Sequence, residues 1–358
     1  MLKNVYDVAV IGAGPAGCKT AELAAKAGLK VLVIEEHEEI GKPVQCTGID
    51  SHRILPLSGL GKEIVMNVVH KARFCVKNSF LELDSPKPVY VIDRHKLDKG
   101  IAKLAAKQGA DMITGSRFIG FERANPLTIK TSTGVYKAKM IVGADGPNST
   151  VAKRASIELP KDYVIGYQET VNADFSENIV ELWFGKNITP DFFAWVVPES
   201  KDWARVGIAS KTKPVEYFRS FMKNRFGLDY RKKDVLGGVI RYGIIKTSVS
   251  DNVLLVGDAA CHVKPYSGGG IIYGLIAARY AAQACASAVN SNRFDKSFLV
   301  EVYDKKWKKD LLPGIRRGLV LHKLIHAMPD WMLALSLNVS KPLRPLLSKL
   351  DMDLLFNQ

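Results

Sequence analysis

Three glycines, Gly12, Gly14 and Gly17, stand in G-x-G-x-x-G spacing between an apolar run at residues 8–11 and an alanine-rich segment that Gly28 stops. A second apolar run, residues 31–34, ends at Glu35. That order of strand, glycine turn, helix, strand and terminal acid is a β-α-β unit able to bind a dinucleotide. Gly12 permits the tight turn, Gly14 lets backbone approach a pyrophosphate, and Gly17 lets the helix sit close to the strand. The helix N-terminus offers unpaired N–H groups and partial positive charge to phosphates. Glu35 can accept hydrogen bonds from ribose hydroxyls. The unit alone does not say which dinucleotide it holds.

Further along, an apolar strand ends at Asp145-Gly146, and another, at 253–256, ends at Gly257-Asp258. Asp-Gly at a strand end is also ordinary turn chemistry. A loop containing Gly268, Gly269 and Gly270 then precedes an alanine-rich helix expected over 271–289. Consecutive glycines leave the first N–H groups of that helix free to face an electronegative group. Cys46 lies in a long loop, residues 35–50, beside the expected ligand. It is either an inconsequential loop cysteine or a group at the ligand's edge. Arg94, at a strand-to-helix junction, is either a surface arginine or a cationic contact to the cofactor.

The elements that must position these groups are legible in outline. Residues 51–69 read as helical, with Ile54, Leu55, Leu60, Ile64, Val65 and Val68 as the apolar face. Residues 72–92 read as antiparallel strands, 95–109 as a helix and 111–142 as further strands around Gly134. Strands are expected at 163–171, 179–184, 193–197 and 204–209, and a helix at 213–227. This region carries Trp183, Phe192, Phe193, Trp195 and Trp203. Such a cluster serves either core packing or an apolar slot for a large greasy ligand. From 291 onward the chain reads as helix broken by Pro313, Pro329, Pro342 and Pro345. Its last part, from Trp331 through Leu354, Leu355 and Phe356, is either a helical cap or an interfacial amphipathic surface.

Composition narrows the class. The chain has 358 residues, enough for a large core in interleaved domains, and 51 Lys and Arg against 36 Asp and Glu give a formal charge of +15. That excess either belongs to a soluble protein of a Lys-rich proteome or suits something anionic, such as phospholipid head groups or an acidic redox partner. No nucleic-acid motif accompanies it. No apolar run is long enough to span a bilayer and no signal pattern opens the chain, so a cytoplasmic protein is expected. The five cysteines, Cys18, Cys46, Cys75, Cys261 and Cys285, are odd in number without C-x-x-C spacing, which argues against disulfide frameworks and metal centres.

Taken together, Gly12 to Gly17 with Glu35, Asp145-Gly146, and Gly257-Asp258 with the glycine loop resemble the FAD-dependent oxidoreductases of the para-hydroxybenzoate hydroxylase fold. The loop PVQCTG around Cys46 and the stretch PDFFAWVVPE, with Phe193, Trp195 and Pro198, are similar to the geranylgeranyl reductases of that fold. Val197 stands where that family's aromatic signature has a second aromatic. The resemblance implies an α/β (α+β overall) fold with a Rossmann-like FAD-binding domain, an inserted antiparallel-sheet substrate domain and a helical C-terminus. The expected boundaries are 1–71, 88–159 and 241–290 for the first, 72–87 and 160–240 for the second, and 291–358 for the third. It extends the FAD contacts to Ala16, Glu36, Cys46, Thr47, Arg94, Gly269, Gly270 and Ile271, gives Asp258 the ribityl hydroxyls, and places Phe193, Trp195 and Pro198 against substrate. It sets Cys46 at the flavin's reactive face, as a catalytic candidate that orders that face or relays a proton.

The implied activity is saturation of isoprenoid double bonds on archaeal digeranylgeranyl glycerophospholipids, at the inner face of the cell membrane. NAD(P)H and a small acidic protein such as a ferredoxin both remain open as electron donor. A monooxygenase of the same fold, using NAD(P)H and oxygen, is the competing expectation. A membrane-surface electron carrier and a catalytically silent FAD-binding sensor stand behind it.

Overall fold

The computed structural model describes residues 5–227 and 230–353. Leu354, Leu355 and Phe356 lie outside the described residues. In chain order the first elements are β1 (Val5–Ile11), α1 (Pro15–Lys26), β2 (Val31–Ile34), β3 (Ile49–Ser51), α2 (Ile54–Ser58), β4 (Val65–Val76), β5 (Ser79–Ile92), α3 (Arg94–Lys107), β6 (Asp111–Ile113), β7 (Phe118–Glu122), β8 (Leu127–Thr131), β9 (Val135–Gly143) and α4 (Thr150–Arg154). Then come β10 (Tyr163–Asn172), β11 (Ile179–Phe184), β12 (Ala194–Pro198), β13 (Trp203–Ser210), α5 (Pro214–Phe226), β14 (Arg231–Arg241), β15 (Val249–Ser250) and β16 (Val253–Leu255). The chain closes with α6 (Ile271–Ser291), α7 (Lys296–Leu299), α8 (Lys305–Ala327), α9 (Asp330–Ser340) and α10 (Arg344–Leu347).

Two sheets organise these elements. The first runs β15-β16-β9-β1-β2-β6, with the β7–β8 hairpin continuing antiparallel from β9. Its centre, β16-β9-β1-β2-β6, is parallel, and Val8–Ile11 of β1 together with β2 and β16 are apolar and buried, as strands covered on both faces are. Small residues of α1 and α6 let the two helices pack closely. The second sheet runs β14-β10-β13-β12-β11-β4-β5-β3 and is antiparallel except where β11 lies parallel to β4. It takes in residues 65–71 and 88–92, which the sequence boundaries assign to the first unit.

Three local expectations are corrected. The helix expected over 51–69 ends at Ser58, because Gly59 turns left-handed with φ 76°. Beyond it, the β-branched residues Val65, Val68 and Val69 join β4, where pairing with β5 satisfies the backbone over a long hairpin. Pro313 does not interrupt the C-terminal region; it sits inside α8, whose buried stripe of Trp307, Leu311, Gly314, Ile315 and Gly318 anchors the helix on both sides of it. Pro342 and Pro345 occupy first-turn positions of short helical turns, where a missing N–H costs nothing. An edge strand, β14, also forms where no element was expected; its register to β10 shifts at Thr170/Val171. Among the described residues no helix is long and apolar enough to cross a membrane.

Candidate functional site

A cavity of about 1090 Å³ opens between the two sheets. One end is lined by the β1–α1 turn, the strand end at Asp145-Gly146 and the loop from Gly257 to Ile271; the other is lined by the second sheet and by α8. Its volume exceeds the roughly 300–1,000 Å³ usual for a pocket serving one small ligand.

The glycine turn is shaped by close backbone approach. Gly12 has φ 101°, and a Cβ there would meet Ala144 O at 2.4 Å. A Cβ on Gly17 would meet Gly12 O at 2.2 Å, whereas one on Gly14 would have no protein atom within 4 Å. Gly14 therefore leaves open space at the mouth of α1, where a phosphate fits. Glu35 lies at the end of β2 as expected, and it also braces the turn: its Oε2 accepts from Ala13 N–H at 2.7 Å and its Oε1 from His37 N–H at 3.0 Å. Glu36 is exposed at the same rim and lines the cavity, as does Ala16.

Asp145 is tied to helix capping. Its Oδ1 accepts from Ser149 Oγ–H at 2.6 Å and its Oδ2 from Val151 N–H at 3.0 Å, at the start of α4. Burial raises its carboxyl above the ordinary range despite those bonds. Gly146, with φ 77°, lines the cavity beside it. Gly257 turns with φ 67°, and burial likewise pushes the Asp258 carboxyl up, with Arg94 opposing. Gly270 lies against Asp258, where a Cβ would stand 2.5 Å from Oδ1, and Gly269 lies against Lys264. The N-terminus of α6 at Ile271 has no side-chain cap, so its N–H groups remain for a ligand at the cavity wall.

The Cys46 loop reaches the junction of the two ends. Cys46 is half-buried, the other four cysteines are buried, and Cys46 Sγ accepts from Gly48 N–H at 3.3 Å. Arg94 lines the cavity and is held by Asp98, at 3.1 Å from Nε and 3.0 Å from Nη2. Burial disfavours its charge, but the Asp98 carboxylate and the neighbouring Cys46 more than offset that and leave Arg94 firmly cationic. Thr47 donates its hydroxyl to Gln168 Oε1 at 2.7 Å, and the same oxygen accepts from Trp195 Nε1–H at 2.9 Å. Gln168, buried in β10, thus ties the cysteine loop to the aromatic wall; nothing in its sequence context marks it.

Strand periodicity builds that wall. Val180, Leu182 and Phe184 of β11 face the cavity, as do Phe193 before β12 and Trp195 and Val197 within it. The ring centroids of Phe192 and Phe193 lie 4.5 Å apart, and Phe193 meets Phe184 at 5.3 Å and Trp195 at 6.0 Å. Gly207, opposite Trp195 on β13, leaves room for the indole, since a Cβ would meet its ring at 2.3 Å. Pro198 falls on the other parity. It does not line the cavity, and its carbonyl accepts from Asn67 Nδ2 at 2.9 Å. Trp183 packs on Phe221 in a separate cluster under α5, and Lys233 covers Trp203, so neither lines the cavity. The alternation in residues 180–184 and 193–197 was the available signal for these choices.

The chain's last described residues close one side. Asp353, fully buried, accepts from Ser51 Oγ at 2.5 Å, Lys264 Nζ at 2.7 Å and Arg53 Nη1 at 3.0 Å, while Asp351 pairs with Arg53 at 2.7 Å. Burial opposes the Asp353 anion, and Lys264 and its other donors outweigh it, holding the carboxyl below its ordinary value. Asp50 lies within the field of this cluster with its Oδ2 unpartnered among the described residues, and burial pushes its carboxyl up to about 7. Because the Asp353 carboxyl is depressed, its contribution is complete above the ordinary carboxylate range near pH 4 and is lost as pH falls through its lower folded value. Asp353→Asn strands a buried ammonium, a loss of about 3–5 kcal/mol for a broken buried pair. It is expected to lower Tm and expose the C-terminal segment to protease at neutral pH; an unchanged cleavage pattern would show that these ion pairs do not hold the segment.

The fit to a dinucleotide is therefore good: a turn of close backbone approach, an open place beside Gly14, and two helix N-termini directed at one cavity. Residues 5–299 match the family described as FAD binding domain. The chain is 31% identical over 347 residues to digeranylgeranylglycerophospholipid reductase 2 of Methanothermobacter thermautotrophicus, covering 91% of this chain and 89% of that one. It is 33% identical over 336 residues to an uncharacterized protein of Methanocaldococcus jannaschii, with 90% and 85% covered. The crystal structure of a geranylgeranyl bacteriochlorophyll reductase-like protein from Thermoplasma acidophilum superposes with a TM-score of 0.86 at 28% identity, covering 98% of this chain and 93% of that one. The chain belongs to the geranylgeranyl reductase family of FAD-binding proteins.

Proposed function

We infer that the protein is an FAD-dependent reductase that saturates carbon–carbon double bonds of geranylgeranyl chains on archaeal digeranylgeranyl glycerophospholipids. The observation that carries this reading is the continuity of the cavity: the glycine-lined cradle and the aromatic wall bound one space. The chemistry FAD supplies when bound is hydride delivery to an alkene carbon, with a proton completing its neighbour. An isolated alkene is unactivated, so placement in a dry apolar chamber must carry much of the help. Phe184, Phe193 and Trp195 exclude water and confine the chain. Gln168 holds Trp195 and the cysteine loop in one register. Cys46, with Arg94 beside it, orders the reacting face or passes a proton at its Sγ. The protein works peripherally at the inner face of the cell membrane, and its positive charge suits both an anionic lipid and an acidic electron donor.

The test is anaerobic incubation of dithionite-reduced holoenzyme with unsaturated archaeal lipid, read by mass spectrometry. Products heavier by successive pairs of hydrogens are expected. No mass gain, or a hydroxylated product formed only with oxygen and NAD(P)H, would overturn the reading in favour of the monooxygenase. Cys46→Ala is expected to retain FAD and to slow reduction by about 10²–10⁴, the range for a lost proton-transfer group. Reduction at the parent rate would remove Cys46 from the chemistry.

A further inference from the structure

Among the described residues, α9 buries none of its side chains, although it is rich in apolar residues. One face rests on β4 and β5. The other presents Trp331, Leu335 and Val339 at i, i+4 and i+8, with exposures of 63%, 53% and 64%. Leu343, Leu346 and Leu350 continue this surface through α10 at 52%, 65% and 65%. On α8, Val320, Leu321 and Leu324 are exposed as well. A soluble surface rarely leaves so many large apolar groups together without a use for them.

Two further observations say what covers it. First, the patch runs into the cavity: Leu321 and Ile325 of α8, and Leu347, Leu350 and Met352 after α9, line its wall. Second, the charge of this segment is mostly of one sign, although Asp84 of β5 pairs with Arg344 at 2.6 Å and Asp351 pairs with Arg53 at 2.7 Å. Between residues 311 and 350 stand Arg316, Arg317, Lys323, Lys341, Arg344 and Lys349, against the single acid Asp330. Asp330 is turned inward, accepting from Lys186 N–H at 2.9 Å. Apolar side chains flanked by Lys and Arg are the composition of a surface lying in the head-group and upper acyl region of an anionic bilayer. A second copy of the chain fits less well, because each copy carries the formal charge of +15 and the same cationic rim.

We propose that α9, α10 and the exposed edge of α8 form the surface by which this protein seats on an anionic lipid bilayer, so that an isoprenoid chain passes from the membrane into the cavity without crossing water. The passage of the chain rests on the reductase reading above; the seating does not. The stripe is too short and too lateral to span a bilayer, so the attachment is reversible and salt-sensitive.

The test is flotation of oxidised holoprotein with vesicles of phosphatidylglycerol and phosphatidylcholine, compared with phosphatidylcholine alone. The parent is expected to float with anionic vesicles, to float less with neutral ones, and to be released by salt. Trp331→Ser/Leu335→Ser/Val339→Ser/Leu346→Ser is expected to lose roughly a hundredfold in vesicle affinity, as follows from removing several inserted side chains. Its flavin spectrum and its rate on detergent-dispersed lipid should match the parent, while its rate on vesicle-embedded lipid falls. Lys341→Glu/Lys349→Glu keeps the apolar stripe intact and should lose the preference for anionic vesicles, which keeps the proposal testable if the first variant misfolds. Equal flotation of parent and both variants, or no flotation of the parent, overturns the proposal. So does a parent dimer that the first variant converts to monomer, which would make the patch a contact between copies. Flotation that persists in a protein inactive on every lipid would leave the seating standing and sink only the reductase reading.

Discussion

Gly14→Ala is expected to leave the apoprotein as stable as the parent and to weaken FAD binding by roughly ten- to a hundredfold, the effect of about 1–3 kcal/mol of overpacking. The asymmetry follows from what each glycine faces. A Cβ on Gly14 meets no protein atom within 4 Å, so nothing in the fold resists it. It intrudes only on a ligand drawn up to the backbone at the mouth of α1. Gly17→Ala is expected to behave in the opposite way. Its Cβ would stand 2.2 Å from Gly12 O and 2.9 Å from Ala144 Cβ, so α1 must move off β1 and the apoprotein itself loses Tm. Thermal unfolding of stripped protein, with FAD titration followed by flavin fluorescence, separates the two. A Gly14→Ala protein that binds FAD as the parent does would show that the pyrophosphate does not lie there.

Gln168→Leu is expected to keep FAD and lose about 10²-fold in the rate of alkene reduction, the scale of an approximately 1 Å misplacement of a positioning contact. One carbonyl oxygen, Gln168 Oε1, accepts from Thr47 at 2.7 Å and from Trp195 at 2.9 Å. Leucine removes the acceptor and leaves the buried Trp195 Nε1–H unpaired, at about 1–3 kcal/mol, along with the half-buried Thr47 hydroxyl. Trp195 then loses its register over Gly207, and the loop bearing Cys46 loses its tie to the second sheet. FAD content should hold, because Gln168 bonds to neither the glycine turn nor the α6 N-terminus. The measurement is a single anaerobic turnover with pre-reduced enzyme, set beside FAD content per chain. A parent rate would show that the Thr47–Gln168–Trp195 link only stabilises the fold.

The parts of the site that were legible are those whose geometry is written in neighbouring residues. The turn at Gly12, the strand end at Gly257 and the uncapped start of α6 follow from glycine placement beside apolar runs, and they line the cavity together. The aromatic cluster was legible as a cluster but not as a wall. Trp183 and Trp203 belong elsewhere, and Pro198 sits one residue out of phase with Trp195, on the other face of the sheet. Helical spacing at 54, 55, 60 and 64 misled for residues 65–69, because β5 supplies the backbone partners that turn this stretch into strand. Pro313 misled in the same way: the local cost of proline is outweighed by the buried stripe of α8.

The sequence by itself determined the FAD-binding fold and the family, because a β-α-β unit states its requirements within about thirty consecutive residues. The tertiary structure alone decided which aromatic rings line the cavity, that Gln168 couples Thr47 to Trp195 across 121 and 27 positions, and that Asp353 returns 89 positions to seat on Lys264. Those contacts depend on strand register and on segments distant in the chain finding each other. Neither leaves a period or a spacing along the sequence from which to read it.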